Sequence, residues 1–254
     1  MIKVSWKNER EKMGKEIIQS LYREGMIKTW YRDKSDGWYL ASGLWSPFYI
    51  QLRPLSSYPK VLRKVGYALG KIIKEEIKDV DKIIGVAMAG IPIATAITLT
   101  EEIPSGFTRK LEGVRDVNEF HSLIEKYGEH ALIEGELKSG DNLVVVDDLV
   151  TKFNSKLIAI EQIKYELKRR GLSNVKCENV VVLFDREQGA EKSAMEHNIE
   201  LHSLIPFRTK GISWLADFLA EEEYSVIIDY LDNPIRYQNL NIQINLKNMA
   251  KCEV

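Results

Sequence analysis

Two adjacent carboxylates, Asp147 and Asp148, close an apolar run, NLVVVDDL (142–149), and the chain goes on as VTKFNSK. Acids at such a strand end suit the hydroxyl groups of a ribose, or a Mg2+ ion that a pyrophosphate carries with it, for which Asp147 is the candidate contact. The plainer alternative is an N-cap and a solvent-facing pair. A small-residue turn, MAGIP (88–92), lets backbone N–H groups approach an anion closely, or simply lets a helix pack on a strand. Arg109 and Lys110 end a further strand-like run. Two cations on one rim suit a polyphosphate, although singly they read as a solvated strand end. The turn TKFNS (151–155) stands where a phosphate-cradling loop belongs, yet it contains no glycine. Asn154 tolerates positive φ, whereas Phe153 does so poorly.

The other reactive residues form no constellation. Four histidines, at 121, 130, 197 and 202, show no metal-ligand spacing, and no Ser/His/Asp or Cys/His order stands out. His121 and His130 fall in a lid-like segment, and the other two read as surface or satisfied core residues. Trp30, Tyr31, Trp38 and Trp45 read as a hydrophobic covering or a dimer contact rather than a base-stacking surface, because few basic residues interleave them.

These groups need a frame. Leu62, Val65, Leu69 and Ile72 recur at spacings of three and four, which predicts a helix over 58–77. KIIGVAM (82–88), NLVVVDDL and ENVVVLFD (178–185) are short, nearly continuous apolar runs, the pattern of strands covered on both faces. IPIATAITLTEE follows the first as a helix with Pro92 near its start, and Ile160, Ile163 and Leu167 line another that ends at Gly171. Alternating strands and helices imply an α/β fold with a mainly parallel sheet and ligands at the carboxyl ends of its strands. Met88–Gly90, Asp147–Thr151 and Asp185–Arg186 then share one rim. Residues 1–57 read as an N-terminal hood of a helix and a short hairpin turning at KSDG (34–37), residues 58–207 as the core, and residues 208–254 as C-terminal helices and tail. Within that last part, 235–254 lacks periodicity and reads as a tail or partner-dependent arm. Residues 111–130, charged and unpatterned, read as a mobile lid.

Lys plus Arg (36) nearly balances Asp plus Glu (37), so no basic field exists for nucleic acid or an anionic membrane, and small-molecule work is favoured. Cys177 and Cys252 lie far apart, and the first residues contain no apolar run. A reducing cytoplasm is the simplest compartment. No stretch approaches the roughly 20 apolar residues that span a bilayer.

Taken in order, SGLWSPFYIQLR, GVAMAGIPIATA, FTRK, YGEHALIEGEL, VVVDDLVT and FDREQGAEKSAMEHNIELHSL resemble the motif series of orotate phosphoribosyltransferases, over about residues 10–207. The resemblance implies a type I phosphoribosyltransferase fold and transfer of ribose 5-phosphate from phosphoribosyl pyrophosphate to orotate, with Mg2+ accompanying the pyrophosphate. It also implies a homodimer in which the lid reaches a neighbouring subunit. By resemblance, Thr151, Arg186 and the segment Ser46–Tyr49, with Phe48 and Tyr49, meet orotate. Asp147 and Asp148 are the ribose-binding acids, Ala89 and Gly90 the pyrophosphate turn, and Arg109 and Lys110 its cations.

Three positions depart from the family pattern, all on the phosphoribosyl side. Phe153 and Asn154 replace two loop glycines, Ala41 replaces a lysine, and Glu125 stands where the lid lysine belongs, with Lys126 one place later. Lys152 and the Ser155 hydroxyl are the candidate replacements in the loop, and Lys126 in the lid. Three functions follow: a divergent orotate phosphoribosyltransferase, a non-catalytic relative that binds a pyrimidine or nucleotide and acts through a partner, or transfer to a different base, against which Thr151 and Arg186 argue.

Overall fold

The computed structural model describes residues 5–40, 42–124 and 130–251. Ala41, Glu125, Lys126 and Cys252, all weighed above, lie outside them. The predicted strands meet in a six-stranded sheet of β5 (Lys82–Gly85), β6 (Ser105–Thr108), β7 (Ile133–Glu134), β8 (Asn142–Val150), β9 (Lys176–Asp185) and β10 (Glu200–Pro206). Its order is β10-β9-β8-β5-β6-β7, parallel throughout except for β7, which runs antiparallel along β6.

The apolar runs are continuous because both faces are covered. Val144 and Val146 face a core shared with α1 (Trp6–Arg23), α2 (Pro59–Glu76) and α3 (Gly90–Glu101). Leu143 and Val145 face the opposite core, with Ala159, Ile160 and Ile163 of α5 (Asn154–Arg170) and Ala190 and Ala194 of α6 (Ala190–Glu196). Period-two alternation assigns successive residues to the two cores, so consecutive positions of these runs are apolar. Val65, Leu69 and Ile72 of the predicted α2 stripe are fully buried, and Gly171 closes α5 in the left-handed conformation.

The hood is α1 with two small ribbons: β1 (Ile27–Thr29) against β4 (Phe48–Ile50), and β2 (Trp38–Tyr39) against β3 (Trp45–Ser46). KSDG does turn, with the Gly37 N–H bonding the Lys34 carbonyl, but it leads into β2. The hairpin itself closes further on, where the Leu40 N–H bonds the Leu44 carbonyl. Gly37 has φ 61° and a Cβ there would sit 2.5 Å from the Trp45 ring, so the residue is needed for contact as well as conformation.

Two expectations are corrected. Residues 235–251 are no loose arm: a short 3-10 turn and α8 (Leu240–Met249) pack on the hood, where Trp30 Nε1 bonds the Leu246 carbonyl at 3.0 Å and Tyr237 stacks on Trp45. Their apolar residues are few, but Tyr237 and Leu246 are buried in the main core. Nor is the lid segment unpatterned. Val117–Ile124 forms α4, whose Phe120 (1% exposed) and Ile124 cluster with Leu111 and Leu132, packed against Ile158 and Tyr165 of α5. Val117, Phe120 and Ile124 are a short apolar stripe hidden among charges. Among the described residues, no helix is long and apolar enough to cross a membrane.

Candidate active site

The acid pair lies at the carboxyl end of β8, the middle of the sheet. A cleft of about 580 Å³ opens there, lined by Arg53, Val86–Ala89, Pro92, Lys110, Asp147, Asp148 and Ser155. Its floor is the β5–α3 turn. The Val86 N–H bonds the Val146 carbonyl at 2.9 Å, the Gly90 N–H bonds the Val86 carbonyl at 2.8 Å, and the Ala87 N–H bonds Thr108 Oγ1 at 2.9 Å. A Cβ on Gly90 would lie 2.5 Å from the Val146 carbonyl oxygen and 3.2 Å from Asp147 Oδ1. Only glycine lets this turn sit against the acids.

Of the two cations expected on this rim, Lys110 lines the cleft and Arg109 does not. Neighbouring residues past a strand end diverge: Arg109 Nε lies 3.5 Å from Glu134 Oε1, and its carbonyl accepts from Gln162 Nε2 at 2.8 Å. The second cation is Arg53, carried by the 3-10 turn Arg53–Ser57 and not singled out from sequence.

A second cavity, of about 640 Å³, shares the same turn. Leu149, Thr151 and Lys152 line it together with Leu40, Ser42, Tyr49, Arg186, Glu187, Gln188 and Tyr230. Arg186, just past the end of β9, is 9% exposed, and its Nε and Nη2 have no hydrogen-bond partner among the described residues. Burial pulls its pKa down from the usual guanidinium value. Buried donors without acceptors are expensive unless a ligand supplies them. Phe48 is buried beneath the guanidinium, whose carbon lies 5.0 Å from the ring centroid, and Tyr49 lines the cavity while stacking on Trp38.

Between the cavities, the glycine-free turn reaches the conformation a glycine would take. Phe153 has φ 73° and ψ −11° and caps α5, while Asn154 is already helical. The expectation had placed the tolerance in the wrong residue. Left-handed backbone costs about 1–2 kcal/mol for a non-glycine residue. Burying the Phe153 ring, 1% exposed among Val150, Ala159 and Ile160, returns roughly 1.5–3 kcal/mol. Burial therefore offsets the strain. Lys152 is exposed towards the second cavity, and Ser155 towards the acid-lined cleft.

Lys156 was not singled out at all. It is 2% exposed, its Nζ lies 2.7 Å from Asp147 Oδ2, and it also donates to the Leu149 carbonyl. The signal was present in sequence, because Lys156 falls in register with the apolar stripe Ala159, Ile160 and Ile163 of α5. Asp147 Oδ1 accepts from the Asp148 N–H at 2.9 Å, so both of its oxygens are engaged. Asp148 keeps one oxygen on the Leu149 N–H at 2.7 Å, leaving the other towards the cleft. Burial, and then the neighbouring Asp147 charge, push the Asp148 pKa up to about 7. Among the described residues no third His, Cys, Asp or Glu joins the pair to make a metal site.

The remaining histidines stand as expected. His202 is buried between Glu76 and Asn179, and His197 is exposed on the end of α6.

A parallel sheet with an acid-ended central strand, beside a turn too tight for any side chain, is the architecture of type I phosphoribosyltransferases. Solved structures share it: UMP synthase of Leishmania donovani (TM-score 0.68, 24% identity, 86% of this chain and 42% of that one) and orotate phosphoribosyltransferase of Aeropyrum pernix (TM-score 0.59, 23% identity, 80% and 97%). No family model matches the chain. Curated orotate phosphoribosyltransferases do: that of Methanocaldococcus jannaschii is 35% identical over 65% of this chain and 82% of its own length, and that of Methanosarcina mazei 32% over 78% and 91%. The chain belongs to the orotate phosphoribosyltransferase family. The non-catalytic alternative finds no support in these relatives.

Proposed function

We propose that the chain joins orotate to the ribose of phosphoribosyl pyrophosphate: the bond from C1 of the ribose to pyrophosphate breaks as that from C1 to the orotate ring nitrogen forms, and the proton of that ring N–H leaves with the pyrophosphate. The observation that carries this reading is Arg186, a buried guanidinium in the wall of a cavity that adjoins the acid-lined cleft, with two donors that have no partner among the described residues. A planar fork of donors suits a carboxylate, which orotate has and uracil lacks. Thr151 and Tyr49 complete the base side, with Phe48 supporting Arg186 from below.

In the cleft, Asp148 accepts from the ribose hydroxyls, and its charge stabilises the developing positive charge on the ribose. Asp147, held by Lys156, fixes the strand end. Lys110 and Arg53 neutralise pyrophosphate above the Ala89–Gly90 turn. Ser155 and the start of α5 receive the 5'-phosphate. The donor set fits a Mg2+ ion whose ligands come mainly from pyrophosphate and water, since Lys156 already occupies Asp147. Such an ion supplies further neutralisation of the leaving group. The lid role implied for Lys126 belongs to the same reading, as does a cytoplasmic homodimer. Its candidate contact is the apolar groove between α2 and α3, about 750 Å³, beside Leu99, which is 79% exposed.

The test is turnover with phosphoribosyl pyrophosphate, Mg2+ and each of orotate, uracil, hypoxanthine and adenine. Nucleotide should form with orotate alone. None above blank, or formation with another base, overturns the reading.

A further inference from the structure

The motifs that carry the family resemblance end by residue 207, yet the base cavity does not. Tyr230, Leu231 and Pro234 also line it, and they come from α7 (Glu221–Asp232) and the turn behind it, in the C-terminal extension. Tyr230 is 1% exposed and lines the cavity beside Arg186, and its hydroxyl draws the guanidinium pKa up against the fall that burial causes. It meets the Phe48 ring edge-on at 5.7 Å and 90°, so the guanidinium is held by Phe48 from below and by the tyrosine from the side. In this setting Nε and Nη2 have no partner among the described residues.

The extension is fastened as a support would be. Asp229 accepts from the Tyr237 hydroxyl and from Arg236 Nη1, both at 2.7 Å. Gln238 bonds both the N–H and the carbonyl of Trp45, at 2.8 and 3.1 Å, next to the Ser46–Tyr49 segment of the hood. Tyr230 in turn packs against Tyr237 at 5.6 Å. A guanidinium on a flexible side chain binds a carboxylate well only when its fork is held in place beforehand.

We infer that Tyr230 is a positioning and specificity-determining residue, which aims the free edge of Arg186 at the carboxylate of the pyrimidine, and that the C-terminal extension thereby completes the base pocket. This rests on the function proposed above and adds to it which part of the chain selects a carboxylated base.

Calorimetry with orotidine 5'-monophosphate and with uridine 5'-monophosphate, which differ only in that carboxylate, tests it. The native protein should bind the former more tightly. Tyr230→Phe keeps the ring and removes the hydroxyl. Losing the hydroxyl's attraction for the guanidinium predicts about tenfold weaker binding of orotidine 5'-monophosphate, with uridine 5'-monophosphate unchanged. In turnover, KM for orotate should rise by about the same factor while kcat and the KM for phosphoribosyl pyrophosphate stay within about twofold. Tyr67→Phe, which removes an exposed hydroxyl on α2 away from both cavities, is the control and should keep the discrimination. Unchanged discrimination in Tyr230→Phe, or equal weakening of both nucleotides, overturns the role of Tyr230 and leaves the proposed function standing. If the native protein itself does not discriminate, Arg186 does not face the carboxylate, and both fall.

Discussion

Lys156 Nζ lies 2.7 Å from Asp147 Oδ2, with both side chains withdrawn from solvent. One of the two acids that the sequence offers to the ribose is thus already paired inside the protein, and the pair ties the first turn of α5 to the end of β8. The phosphate loop and the acid wall are held in register by this contact.

Removing one partner of a buried pair leaves an uncompensated charge. Lys156→Met should cost about 3–5 kcal/mol in denaturant unfolding. The double variant Asp147→Asn/Lys156→Met should recover much of that loss, because no charge remains unpaired. If Lys156→Met unfolds like the native protein, Asp147 is not held by Lys156.

The turn before α5 predicts opposite outcomes for its two unusual residues. Phe153→Gly relieves the left-handed strain but empties a core site, and should destabilise by about 3–5 kcal/mol, less the strain recovered. Asn154 is exposed, so Asn154→Gly should shift stability by about 1 kcal/mol or less. Urea melts of the two variants distinguish these. Equal melts would mean that the Phe153 ring contributes nothing to the core.

Asp148 titrates near neutrality, which sets two pH dependences. In the proposed reaction its charged form stabilises the ribose, so kcat should rise with pH through about 7. For stability the sign is opposite. The folded-state pKa is raised above the unfolded value of 3.8, so the native state binds the proton more tightly, and this contribution is lost as pH rises from about 4 through 7. Asp148→Asn should flatten the stability profile in that window and abolish the rise in kcat. A native-like stability profile in the variant would assign the dependence to another group.

Docking of α4 changes what is expected of the lid. The apolar contacts of Phe120 and Ile124 predict protected amides in the second half of α4 and faster exchange in the charged stretch at 112–116. Phe120→Ala should raise exchange across α4 while leaving α5 protected. Fast exchange throughout α4 in the native protein would show that the cluster does not hold it.

The sheet, its two covering layers and the rim were legible in the chain itself, because continuous apolar runs such as LVVV and VVVLF suit only strands buried on both faces, and strands joined by helices run parallel. The acid pair and Gly90 were legible for the same reason: local sequence decides what ends a strand and what a tight turn admits. The fate of single side chains was not. Whether Phe153 can take a left-handed turn depends on a core pocket assembled from β8 and α5, and whether Asp147 is free depends on a lysine nine residues later, brought back by one helical turn. Arg53 and Tyr230 reach the two cavities from segments about 90 and 80 residues from the acids, a proximity that only packing creates. Local pattern sets which elements form, because backbone hydrogen bonding and burial periodicity are short-range. The partners of a charged or strained side chain come from wherever the fold brings them, and the tertiary structure alone decides that.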